Sequence, residues 1–184
     1  MRLREFEESE LNDAQLTVYR NIASGPRGGV RGPFNIMLRS PEMADRVQKL
    51  GEYLRFDTVL SERINEFAII ITARYWSSEI EWRGHSKRAI AAGLSADVAA
   101  QLAQGQRPTG MQEDEAATYE FCTQLHETKE VSDAAYNEAL KHFGEQGVMD
   151  MIGVSGYYTL VAMVLKVSQK PLPAGTPNAL PPLK

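Results

Sequence analysis

Apolar residues recur along most of this chain at intervals of three and four, and no sustained alternation of apolar and polar positions argues for a strand. The period predicts helices at about 11–23, 41–55, 61–76, 78–92, 95–104, 114–129, 132–143 and 146–168, and therefore an all-α fold. Start and stop signals agree with these bounds. Ser40-Pro41 supplies a cap and a first-turn proline, Ser61, Ser95 and Ser132 stand where N-caps belong, and Gly93 and Gly105 are natural stops. The helix at 61–76, "SERINEFAIIITARYW", is apolar around nearly its whole circumference, which marks it as central.

Two stretches resist helix formation. "SGPRGGVRGPFN", residues 24–35, is too rich in glycine and proline for regular structure and reads either as a linker or as a loop folded over a pocket. The end, "KPLPAGTPNALPPLK", is expected to run as an extended arm, frayed or laid on a neighbouring subunit. The expected organisation is one all-α domain over 1–170 followed by a proline-rich arm over 171–184.

Composition narrows the classes. The 184 residues fit one domain able to bury roughly 70% of its unfolded surface. A net charge of -4 gives no electrostatic reason to expect nucleic acid. The single cysteine, Cys122, excludes an internal disulfide, and the charged start "MRLREFEESEL" does not resemble a secretory signal, so a cytoplasmic location is expected. The apolar runs "FAIIITA" and "YYTLVAMVL" are shorter than the roughly 20 residues that span a bilayer, and no membrane insertion is expected.

Candidate chemistry concentrates in "YWSSEIEWRGH", residues 75–85. As a helix it projects Ser78, Glu81 and His85 from one face. Glu66 lies inside the central apolar helix, where a carboxylate needs a partner, and helices joined this closely pack together, so Glu66 can meet His85. The plainer reading makes Glu79, Glu81, Arg83, Lys87 and Arg88 a solvated helix face. Trp76 and Trp82, interleaved with those charges, favour a partly buried polar cluster instead. Cys122, at helical spacing among apolar positions, reads as a core thiol, His126 as a surface residue, and His142 as a partner for a helix C-terminus.

The order Glu66, twelve residues to Ser78, three to Glu81 and four to His85 matches the proton-relay glutamate, paired cysteines and histidine of alkylhydroperoxidase D, with both cysteine positions replaced. Glu79-x-Glu81-aromatic-x-x-His85 resembles the decarboxylase branch of that superfamily, the carboxymuconolactone decarboxylases. The likeness extends from "RGPFNIMLRSPEMA" through "KRAIAAGLS" to "GYYTLVAMVLKVSQKPLP". It implies an alkylhydroperoxidase D-like helical bundle, assembled as a homo-oligomer, trimer or hexamer, that acts on a small-molecule substrate.

Thiol peroxidase chemistry is disfavoured without the cysteine pair. Cofactor-independent decarboxylation needs only an electron sink on the substrate and an acid to protonate the resulting carbon. His85 is the candidate acid and Glu81 and Glu66 its orienting carboxylates. Ser78, Trp82, Arg74, Phe34, Asn35 and Met37 are candidate substrate contacts, with Arg83 and Arg39 as further partners for a substrate carboxylate. No cofactor and no metal are expected on this reading. The alternatives are a metal-dependent lyase or hydrolase using Glu66, Glu81 and His85, since Glu81 and His85 have the i, i+4 spacing of helix-borne ligands, and a non-catalytic helical oligomer.

Overall fold

The structure, a computed structural model, describes residues 1–183. It is all-α: helices form and no strand is present among the described residues. In chain order they are α1 (Asp13–Ser24), α2 (Pro33–Met37), α3 (Pro41–Phe56), α4 (Glu62–Tyr75), α5 (Glu79–Ala91), α6 (Ala96–Ala103), α7 (Glu113–Glu127) and α8 (Asp133–Ser168), preceded by a 3-10 turn at Glu8–Glu10. The chain divides into two compact units, residues 1–57 with 163–171 and residues 58–162 with 172–184.

In the first unit, α1 begins at a reciprocal cap in which the Asn12 side chain accepts from the Gln15 amide and the Gln15 side chain accepts from the Asn12 amide, both at 3.0 Å. Its buried Val18 and Ile22, one turn apart, face α3. Proline starts α3 at its first turn, although the Ser40 hydroxyl makes no capping bond. The short α2 corrects the expectation that 24–35 excludes regular structure. Gly32, at φ 62, turns the chain, and Pro33 then opens a helix whose five residues are all buried. The N-terminal segment is tied to the end of α8 by the Arg2 amide donating to the Ser168 carbonyl at 2.8 Å and by a Lys170–Glu5 ion pair.

The second unit is organised by α4. Every residue from Ile64 to Arg74 is buried, so side chains cover this helix on all sides, chiefly those of α5 and α7. The Arg63 guanidinium forks between Asp114, at 2.6 Å, and Glu115, and fixes α4 against the start of α7. Burial alone would lower the Arg63 pKa, but its bonds to the two carboxylates outweigh that and raise it. The expected serine caps are present: the Ser61, Ser95 and Ser132 hydroxyls accept from Ile64, Asp97 and Ala135 amides.

The break expected between 143 and 146 is present: α8 consists of two helical stretches that meet at Gly144, whose φ of 66 and ψ of 178 are not helical. By length and composition α8 is sufficient to cross a membrane: an 18-residue window has mean hydropathy 1.6, with 56% of it buried within the protein. The separate apolar runs understated this because α8 continues past both ends of "YYTLVAMVL".

Candidate active site

The turn between α4 and α5 is what brings the candidate residues together. Ser77 takes φ 46, uncommon for a residue with a side chain, and the Ser78 amide donates to the Ala73 carbonyl at 2.8 Å. The chain therefore reverses within two residues and lays α5 along α4. Ser78 occupies the N-cap position of α5, and Glu81 and His85 follow on the same face.

Glu66, Glu81 and His85 are 3%, 8% and 7% exposed. The His85 Nδ1 lies 2.6 Å from Glu66 Oε2, while His85 Nε2 faces Glu81 Oε2 at 3.6 Å. The imidazole is thus bracketed by two buried carboxylates, one at each ring nitrogen. His85 Nδ1–H donates to Glu66 Oε2, since a carboxylate can only accept. Nε2 is beyond hydrogen-bond length from Glu81, so it can hold or release a proton toward a third group without breaking the Glu66 contact. Tyr158, from α8, presents its ring edge-on to the imidazole with centroids 5.0 Å apart, and Tyr157 packs against Tyr158 at 5.2 Å. Sequence reasoning missed Tyr158. Its only signal was a tyrosine pair in an apolar helix, which reads equally well as core.

Ser78 is 3% exposed and its Oγ has no hydrogen-bond partner, an open polar position one turn before Glu81. Trp82 is 5% exposed and serves as packing for the same helix. The reading of Glu79, Glu81, Arg83, Lys87 and Arg88 as a solvated face fails for Glu81, which is buried, and holds for Lys87 and Arg88, which are exposed, while Glu79 and Arg83 are half-buried.

The three arginines weighed for a substrate carboxylate are all engaged in holding chain segments. Arg74 donates to Ser77 Oγ at 3.1 Å and to the Pro181 carbonyl at 2.9 Å, and its burial lowers its pKa. Arg83 donates to the Pro177 carbonyl and lies 3.8 Å from Glu79. Arg39 donates to the Arg4 carbonyl at 2.6 Å and stacks over the Phe6 ring at 4.3 Å. Glu79, on the other side of the same segment, accepts from the Ala179 and Leu180 amides at 3.0 and 2.8 Å. The C-terminal segment is therefore not frayed. It returns to its own unit, with Leu180 buried.

Phe34, Asn35 and Met37 lie on α2 in the first unit. Asn35 exchanges two bonds with Phe6, accepting from its amide at 2.7 Å and donating to its carbonyl at 3.0 Å. Phe34 lies under the Arg27 guanidinium at 4.5 Å, and Met37 lines an apolar groove with Leu3, Ile36 and Met43.

Cys122 is fully buried, its thiol pushed up to about 12 by burial, with the Ser155 hydroxyl donating to its sulfur at 3.6 Å. His126 is not a surface residue. It is 7% exposed, bonded through Nε2 to Thr72 Oγ1 at 2.9 Å, and stacked on Tyr75 at 4.9 Å. Burial, with help from the Lys129 charge, lowers its pKa to about 4. No local pattern signals this, because Thr72 lies 54 residues earlier, on α4 with Tyr75.

Among the described residues, no group of three His, Cys, Asp or Glu side chains is placed to hold a metal ion. In the Glu66–His85–Glu81 cluster the ring stands between the carboxylates, so the three donors do not converge on one point. The chain matches no known family model and no curated protein.

Proposed function

We propose that this protein is a cofactor-independent acid–base enzyme of the carboxymuconolactone decarboxylase type, built on an alkylhydroperoxidase D-like bundle and working as a homo-oligomer. Its substrate is a small carboxylated lactone or a related intermediate of aromatic catabolism. The observation that carries this reading is the buried imidazole of His85 bracketed by Glu66 and Glu81. The resemblance around Ser78, Glu81 and His85 supplies the reaction class.

In that reaction the bond to the substrate carboxylate breaks, carbon dioxide leaves, and the electron pair passes into the unsaturated lactone as an extended enolate. The protonated His85 ring donates its Nε2 proton to the enolate carbon. His85 Nδ1–H donates to Glu66, which fixes the ring, and Glu81 stands beside Nε2 to support the charged ring before transfer. Ser78 Oγ offers a donor to the developing oxyanion. A proton from solvent restores the ring.

The test is carbon dioxide release from carboxymuconolactone-type substrates by the full chain. His85→Ala should lower turnover by roughly 100-fold or more with the helical circular dichroism intact. Undiminished turnover in that variant would remove His85 from the chemistry. Activity lost on chelation, with stoichiometric metal by elemental analysis, would transfer the cluster to metal-dependent lyase or hydrolase chemistry. A His85→Ala variant that changes only stability would make the cluster structural.

A further inference from the structure

We infer that the cavity between α4, α6 and α7 is a binding site for a short apolar monocarboxylate, gripped by the Nε–Nη2 edge of the Arg74 guanidinium. Pro181 and Leu183 hold that place in the free protein. Every residue of the site belongs to the second unit. Glu66, Glu81 and His85 do not line it, so the inference stands apart from the catalytic reading.

Arg74 carries the argument. It is 3% exposed, and a buried guanidinium calls for a counter-charge and for acceptors at its donors. Among the described residues it finds neither in full. Glu79 acts on its charge from nearby but gives its oxygens to the Ala179 and Leu180 amides. Nη1 and Nη2 meet neutral oxygens, the Ser77 hydroxyl at 3.1 Å and the Pro181 carbonyl at 2.9 Å, and Nε has no hydrogen-bond partner. Nε and Nη2 form an edge on which a carboxylate can set two parallel bonds, one to each oxygen. A single carbonyl oxygen fills half of that fork. The empty half points to a ligand with a second oxygen and a negative charge.

The surroundings define the rest of the ligand. The cavity measures about 70 Å³ and is lined beside Arg74 by Ile71, Leu102, Tyr119, Thr123, His126 and Leu183. His126, which burial keeps uncharged near neutrality, adds no second charge. Glu127 also borders the cavity but is exposed, where water weakens its repulsion of an anion. Gly105 sets the fit: a Cβ built there would come 3.5 Å from Arg74 Nη2, 4.0 Å from Nε and 2.8 Å from Leu183 Cδ2. The guanidinium edge and the leucine side chain therefore meet over one glycine. A carbonyl oxygen on Nη2 with an isobutyl group close by presents, in two pieces, what isovalerate combines in one molecule. The class is thus a monocarboxylate with a branched apolar body of a few carbons. Leu183 is 49% exposed, so it can withdraw and enlarge the cavity without dismantling the core.

The experiment titrates isovalerate into the full chain, followed by calorimetry and backbone NMR. Isovalerate should bind one per chain and shift the Gly105 and Leu183 amide signals. Isovaleramide, of the same shape without the charge, should bind roughly tenfold more weakly or worse. Leu183→Ala, which removes the internal competitor at an exposed position, should bind isovalerate roughly threefold more tightly than wild type. Arg74→Gln should lose binding, and the comparison of acid with amide, made in wild type, decides the matter where that variant fails to fold. Equal affinity for acid and amide, unchanged or weaker binding by Leu183→Ala, or signals that move at His85 instead of Gly105 would each overturn the proposal. So would a folded Arg74→Gln variant that binds isovalerate as wild type does.

Discussion

His85 Nδ1 and Glu66 Oε2 meet at 2.6 Å across the α4–α5 packing, nineteen residues apart in the chain and both shielded from solvent. The contact joins the stability of the central helix to the orientation of the imidazole. Removing either partner leaves the other buried and unsatisfied, at a cost of about 1–3 kcal/mol. Glu66→Ala and His85→Ala should each destabilise the protein on that scale in urea unfolding. The double variant should cost clearly less than their sum, and simple additivity would show that the pair is not coupled.

Glu66→Gln separates orientation from charge. The amide keeps the shape and can still accept from Nδ1, but it removes the negative charge beside the ring. Turnover should fall, but less than in His85→Ala, because the ring keeps its orientation and loses only the neighbouring charge. Turnover identical to wild type would mean that Glu66 does not act through His85.

Cys122 should be chemically silent in the folded protein. With its thiol pushed up to about 12 by burial, almost no thiolate is present near neutrality. A disulfide reagent should react with it only on unfolding, and Cys122→Ser should leave turnover unchanged. Rapid labelling of the native protein, or hydroperoxide turnover that disappears with this substitution, would contradict the burial argument.

His126 makes stability depend on acid. Its folded pKa of about 4 lies below the ordinary 6.5, so between those values the unfolded chain binds a proton that the folded protein excludes. Stability should therefore be lost as pH falls through that window, by on the order of 2–3 kcal/mol in total from this group. His126→Gln, which can keep a bond to Thr72, should flatten the slope there. An unchanged slope would assign the acid sensitivity to other groups.

The returned C-terminal segment is held by few bonds and one buried side chain. Leu180→Ala should cost about 2–3 kcal/mol. Glu79→Ala, which strands the Ala179 and Leu180 amides, should speed hydrogen exchange and proteolysis at 177–183 while leaving α5 protected. Equal protection in variant and wild type would show that Glu79 is not what holds the segment.

Most of the helices were legible because their ends carry local chemistry. Pro41, Ser61, Ser95 and Gly93 act on neighbours within four residues, and a single sequence contains that information. The contact of Glu66 with His85 was legible for a related reason: a charge inside an apolar helix demands a partner, and the adjacent helix held one suitable residue. The partners of His126, Arg74 and Arg83 were not. Each is bound by a segment fifty or more residues distant, and nothing in the local pattern distinguishes a buried histidine on α7 from an exposed one. Likewise α2 is shorter than two turns, and the glycines around it outweigh its own periodicity.

The first unit is assembled from two pieces of chain separated by more than a hundred residues. The bond from the Arg2 amide to the Ser168 carbonyl and the pairing of Glu5 with Lys170 cannot form until Ser168 and Lys170 have left the ribosome. The second unit, apart from its returned segment, is already continuous by Ala162. During synthesis the α4–α5–α7 core can therefore close first, while residues 2–5 wait for the last turn of α8, and chaperones would meet that segment as a late-folding part of the molecule.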